Sequence, residues 1–169
     1  ERLRGDVRCG NSICFPPGMG MLFADPALDA AEGPSAAGSS RGGTIWHFPT
    51  YASTGLLDDP PVPFVHAAGR PDGAAVDAEG CVWSAEFGGG RVVRYRPDGQ
   101  IDMIVRVPVR FTTCAAFGGE DLQTLYITDA TPFMHQKLSR KGRESLPEGY
   151  AGGLFAVQLP VKGRLEMKF

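Results

Sequence analysis

The chain has 169 residues, 43% of them hydrophobic and 21% charged, with a formal net charge of −2. That suits one globular domain of ordinary size and argues against a disordered chain. It also argues against a basic nucleic-acid footprint, and no apolar run approaches the roughly 20 residues of a membrane helix, so a soluble protein with neither nucleic acid nor membrane as partner is expected.

The first ten residues, ERLRGDVRCG, hold neither a Met nor the apolar centre of a signal peptide. The expectation is therefore a further segment upstream, and the absence of a targeting signal in these residues decides little about the compartment, which is left open with the cytoplasm slightly ahead. From there the 23 Gly and 14 Pro fall between short apolar runs and not in one tract, which predicts an all-β protein of strands and turns. Three segments share one plan: a polar turn, a strand, a Gly or Asp turn, a second strand closing on a small residue and an acid, then Gly-Gly before a third strand.

The first copy reads NSICFPPGMGMLFADP (11–26) and resumes at GGTIWHF (42–48). The second is DGAAVDAEGCVWSAEF (72–87), followed directly by GGGRVVRYRPDGQIDMIVRV (88–107). It predicts four strands, 73–76, 81–86, 91–95 and 101–107, with Asp77-Ala78-Glu79-Gly80 and Pro97-Asp98-Gly99 as turns. The third is TCAAFGGEDLQTLYITDA (113–130), resuming at GGLFAVQL (152–159). Copies spaced by roughly 40–60 residues match the period of β-propeller blades, each a four-stranded antiparallel meander.

The whole chain, 1–169, is thus expected to be a partial β-propeller with blades at about 9–67, 68–110 and 111–169. Loop insertions at 26–43 and 131–150 account for the longer outer copies, the second carrying Lys137, Arg140, Lys141 and Arg143. A ring needs about four to eight blades, so three leave open faces; either the first half lies elsewhere or a homodimer completes the ring.

Cys9, Cys14, Cys81 and Cys114 form no C-x-x-C pair and are expected as buried free thiols. His47, His66 and His135 lack metal-ligand spacing and read as strand-face or loop residues; Trp46 and Trp83 lie in strands and read as packing. The Gly88-Gly89-Gly90 run lacks the Lys-Ser/Thr and helix of a phosphate loop and reads as a turn.

PDGAAVDAEGCVWSAEFGGGRVVRYRPDG (71–99), TTCAAFGGEDLQTLYITDA (112–130) and AGGLFAVQLPVKG (151–163) resemble the SMP-30/gluconolactonase/LRE family of six-bladed propellers. GNSICFPPGMGMLFAD (10–25) resembles the preceding blade more loosely, with Ser12 in place of Gly and Pro17 in place of Asp. The resemblance covers the C-terminal half of that family, so the chain would supply half of a six-bladed ring.

The resemblance implies one divalent cation at the channel mouth, Ca²⁺ first, with Mg²⁺, Mn²⁺ or Zn²⁺ as alternatives. Its ligands are a Glu from a first blade, which has no counterpart here, the Asn of an Asn-Gly turn and the Asp of a Pro-Asp-Gly turn; the last two fall on Asn11 and Asp72. Asp72 is also the implied catalytic base of a metal-dependent lactonase acting on a sugar lactone or related cyclic ester. From the residues alone Asp72 reads as a turn former first, and Asn11 reads equally as an Asx turn. Thr112 or Thr113 holds the equivalent place in the third copy. Asp77 and Glu79 are expected to be turn residues, and Glu86 an exposed or loop-bonded acid. Without the missing ligand the chain alone is expected to show weak or no activity. The alternative is a non-catalytic binding or scaffold propeller, favoured by Ser12 and Pro17.

Overall fold

A computed structural model describes residues 2–5, 7–25, 28, 42–57, 60–130 and 150–165. The expected insertions at 26–43 and 131–150 lie almost wholly outside the described residues, as do His135 and the four basic residues from Lys137 to Arg143. In chain order the elements are β1 (Asn11–Cys14), β2 (Met21–Ala24), β3 (Thr44–Phe48), a single helical turn α1 (Tyr51–Thr54), β4 (Val62–His66), β5 (Arg70–Val76), β6 (Val82–Phe87), β7 (Arg91–Tyr95), β8 (Ile101–Arg106), β9 (Thr112–Gly118), β10 (Thr124–Asp129) and β11 (Leu154–Gln158).

They make three antiparallel sheets, ordered β1-β2-β3-β4, β5-β6-β7-β8 and β9-β10-β11. Neighbours in sequence pair because short Asp-containing turns reverse the chain. Asp77 Oδ1 accepts the backbone N–H groups of Glu79 and Cys81 at 2.9 and 3.0 Å between β5 and β6. Asp98 and Asp121 do the same for Gln100 and Gln123, each at 3.0 Å. The side chain replaces the ladder bonds that turn N–H groups lack. The all-β expectation therefore holds, and the Gly88-Gly89-Gly90 run is the turn before β7.

The sheets stack through their apolar faces. Leu22, Ile45 and Val65 of the first sheet meet Val76, Val82, Val93 and Tyr95 of the second. Trp83, Ala85 and Val92 on the other face of the second meet Ala115, Leu125 and Ile127 of the third. Strand alternation sorts these residues: Trp83 and Val82 point to opposite faces, and both are fully buried because each face is covered. Trp83 meets Phe117 edge to face with centroids 5.5 Å apart, while Trp46 packs with Phe23 and Phe48 on the outer face of the first sheet.

Three details differ from expectation. β5 begins at Arg70, three residues earlier than 73, with a register shift between Pro71 and Ala74. The third sheet has three strands among the described residues, not four. Past β11 the chain turns back to the second sheet: Gly163 bridges Asp77, and Lys162 O accepts the Ala78 N–H at 2.9 Å.

The cysteines are free, but only Cys14 and Cys81 are buried; Cys9 and Cys114 are exposed. Cys114 alternates with buried Ala115 along β9, so its thiol lies on the opposite face of that strand, beside Gly73 of β5.

Candidate metal and catalytic centre

The first strands of the three sheets, β1, β5 and β9, lie side by side with β5 between the others. Gly73 makes the β5–β9 approach feasible, since a Cβ there would sit 2.5 Å from Cys114 Sγ and 2.8 Å from its Cα. On the other side Ser12 Oγ donates to the Asp72 carbonyl at 2.7 Å, tying β1 to β5. Ser12 itself adopts φ 51°, the left-handed conformation that glycine takes most readily. The Ser therefore keeps the conformation of an Asn-Gly turn and adds an interstrand bond.

This register brings Asn11 and Asp72, 61 positions apart in sequence, to one place. The Asn11 amide turns toward two acceptors, the Gly10 carbonyl and Asp72 Oδ1. With Nδ2 on that side it donates to them at 3.1 and 3.0 Å. With Oδ1 on that side Nδ2 points to Cys9 Sγ at 3.7 Å, and two side-chain oxygens face each other, which is favourable with a proton on Asp72 or a cation bound to both. The donor set, a neutral amide oxygen and a carboxylate, fits a hard divalent cation and not a thiolate or imidazole cage. Among the described residues no three His, Cys, Asp or Glu side chains form a metal-holding group.

Burial pushes the Asp72 carboxyl up from 3.8 to about 6, and the nearby Arg70 charge pulls the other way. Because the folded value lies above the unfolded one, protonated Asp72 favours the fold fully below about 3.8, and this contribution disappears as pH rises through about 6. In cation-free buffer, wild-type stability should therefore fall relative to Asp72→Asn between pH 4 and 6, and run parallel to it above. Paired urea titrations across that window check this.

Two buried acids that sequence reasoning treated as strand ends hold the backbone leading into each site residue. Asp25, after β2, accepts the N–H groups of Arg8 and Cys9 at 3.1 and 3.0 Å, just ahead of Asn11. Glu86, at the equivalent place in β6, accepts the Gly69 N–H at 2.9 Å, just ahead of Asp72. Glu86 is not exposed: it is fully buried, paired with Arg91 at 2.7 Å and bonded to the Tyr95 hydroxyl at 2.8 Å. The loop bond was foreseen and the burial was not. The repeated small-residue-plus-acid ending was the available signal.

The other candidates have structural partners. Thr112 is buried and donates to the carbonyls of Glu86 and Arg91, each at 3.0 Å, while Thr113 bonds Thr128. Asp77 and Glu79 shape their turn as expected and also bind Arg94, at 2.8 and 2.6 Å. His66 bonds Thr44, and His47 bonds the Met19 carbonyl.

The family model described as SMP-30/gluconolactonase/LRE-like region matches residues 1–131. A 6-deoxy-6-sulfogluconolactonase of Pseudomonas putida is 46% identical over 103 residues, covering 61% of this chain and 33% of that protein. An L-arabinolactonase of Azospirillum brasilense is 37% identical over 101 residues, 60% of this chain and 31% of that one. The solved structure of a calcium-binding protein, regucalcin, from Agrobacterium tumefaciens gives a TM-score of 0.69 at 31% identity, covering 97% of this chain and 50% of that one. The matches thus span about a third of the two curated relatives and half of the solved chain. With most of its length matched by the family model and three antiparallel sheets that superpose on a family structure, the chain belongs to the SMP-30/gluconolactonase/LRE-like family.

Proposed function

We propose that the chain is the C-terminal half of a six-bladed propeller that hydrolyses sugar lactones or related cyclic esters, with a divalent cation, Ca²⁺ first, held by Asn11 and Asp72. The observation that carries this reading is the approach of the Asn11 amide to a half-buried carboxyl of raised pKa, across two adjacent first strands. Relatives named as sugar lactonases support the substrate class, and a neighbour named as calcium-binding supports the ion.

A bound cation would polarise the lactone carbonyl and stabilise negative charge on its oxygen. The chain's own contribution is proton transfer. Asp72 has two carboxylate oxygens; with one engaged toward Asn11, the other accepts a proton from a water whose oxygen bonds to the carbonyl carbon. The ring C–O bond then breaks, and the departing ring oxygen takes the proton back from Asp72. The products balance as one hydroxy acid from one lactone and one water. Burial makes this carboxyl more basic than an exposed Asp, and a cation beside it would pull in the other direction, so that it is ionised at neutral pH.

The third ligand implied by the family resemblance, a first-blade Glu, would come from a preceding segment; a second copy closing the ring would instead bring a second Asn11 and a second Asp72. The scaffold alternative loses one of its two supports, because Ser12 preserves the turn that Gly would make.

The test is acid release from glucono-1,5-lactone in a pH-stat, using the natural polypeptide that carries these 169 residues. Expected are turnover dependent on Ca²⁺ or Mn²⁺, abolition by a chelator, and an acid limb in kcat/KM at or below about pH 6. Release no faster than the spontaneous rate across a panel of aldonolactones would refute the reading.

A further inference from the structure

We infer that Arg70 binds an oxyanion on the substrate, so that the preferred substrate is a lactone bearing an acidic substituent such as a carboxylate, phosphate or sulfonate. This rests on the lactonase reading of the same site and adds the substrate's charge to it.

Arg70 opens β5 two residues before Asp72. Its guanidinium lies 5.0 Å from the centroid of Phe87, its cross-strand partner. Phe87 in turn packs on Phe111 with centroids 4.9 Å apart, and the Arg110 guanidinium lies 5.6 Å from the Phe111 ring on the same array. Two cations thus rest on two packed, mutually tilted rings at the β5 end that carries Asp72.

The neighbouring arginines are differently placed. Arg91, Arg94 and Arg96 each have a carboxylate within 2.8 Å. Among the described residues no carboxylate lies within ion-pair distance of Arg70 or Arg110. Arg70 is exposed, so its charge is not neutralised internally, and the ring beneath it holds the guanidinium while leaving its N–H edges free. A planar fork of donors of this kind matches the paired oxygens of a carboxylate, phosphate or sulfonate.

The spacing also fits. Two residues along a strand span about 6–7 Å, comparable to the distance from the carbonyl of a six-carbon lactone to a substituent at its far end. A lactone with its carbonyl at Asp72 would present that substituent at Arg70.

The experiment compares glucono-1,5-lactone with 6-phosphoglucono-1,5-lactone on the natural polypeptide, as kcat/KM in a pH-stat. The charged lactone should be favoured roughly tenfold or more, mainly through KM. Arg70→Met should bring that ratio down at least about tenfold, and Arg70→Lys should keep part of it. Arg106→Met, which removes an exposed cation from the outer strand β8, should leave the ratio unchanged. A wild-type ratio near one, or an equal ratio in Arg70→Met, would overturn the inference while leaving the lactonase reading intact. Calorimetric binding of 6-phosphogluconate against gluconate separates the two failures. If no lactone is turned over but 6-phosphogluconate binds more tightly and loses that advantage in Arg70→Met, the hydrolase reading fails and the anion site stands. Equal binding of the two acids overturns the anion site.

Discussion

Replacing Asp72 with asparagine should lower lactone hydrolysis by about a thousandfold or more while leaving the fold intact. The size follows from two losses at one atom pair: a general base contributes about 10²–10⁴ in rate, and the substitution also removes the only charged member of the Asn11–Asp72 pair. The fold should survive because the structural link at this residue is made by the backbone, whose carbonyl accepts from Ser12 Oγ at 2.7 Å. Asparagine can also still bond the Asn11 amide. Indeed, burial raises the Asp72 carboxyl, so an ionised Asp72 is a cost to the cation-free fold at neutral pH. The variant should therefore melt at the wild-type temperature or above it, as expected where a residue is retained for chemistry at the expense of stability. Thermal melts beside pH-stat rates check both halves; a melting temperature several degrees lower would mean that Asp72 is structural.

Asp77→Ala should show the opposite pattern, a loss of about 3–5 kcal/mol of stability, because it takes a fully buried acceptor away from four donors, one of them a buried guanidinium. Asp77 is fully buried and serves four donors: the N–H groups of Glu79 and Cys81, the Trp83 indole at 2.8 Å and Arg94 Nε at 2.8 Å. Arg94 is only 5% exposed and lies over Trp83 with its charge 5.9 Å from the ring. Glu79 and Asp102 hold its other two nitrogens, so the guanidinium keeps partners but loses the fully buried one. Asp77→Asn should cost less, since an amide oxygen can still accept the turn N–H groups. Urea unfolding of the three proteins gives the order wild type, then Asp77→Asn, then Asp77→Ala. Equal stabilities would show that the ion pair and turn bonds carry no net weight.

The contrast between these acids shows what a sequence can and cannot convey. The three-fold repetition of turn, strand, turn and strand was readable because propensity and alternation are local, and so the all-β architecture and the strand pairs of the middle sheet followed. The pairing of Asn11 with Asp72 came from the family resemblance, and the structure brings the two together through the β1–β5 approach.

What stayed hidden were the roles that depend on distant partners. Asp77 and Asp72 look alike as turn acids, and the difference is made by Arg94, 17 positions away. Glu86 at a strand end looks solvent-facing until Tyr95, Arg91 and the Gly69 backbone close over it. Cys114 reads as buried because its segment is apolar, yet it alternates with Ala115, whose face of β9 carries the core. The cation–ring array under Arg70 joins β5 and β6 to the residues just ahead of β9, and no spacing in the sequence signals it.

In the proposed site Asn11 and Asp72 hold one divalent cation between two neighbouring first strands. Calcium titration by calorimetry at pH 7 tests it on the natural polypeptide and its Asn11→Ala and Asp72→Asn variants. One site per chain is predicted, weakened about tenfold or more by Asn11→Ala and about a hundredfold or more by Asp72→Asn. Indistinguishable calcium affinity in all three proteins would contradict it.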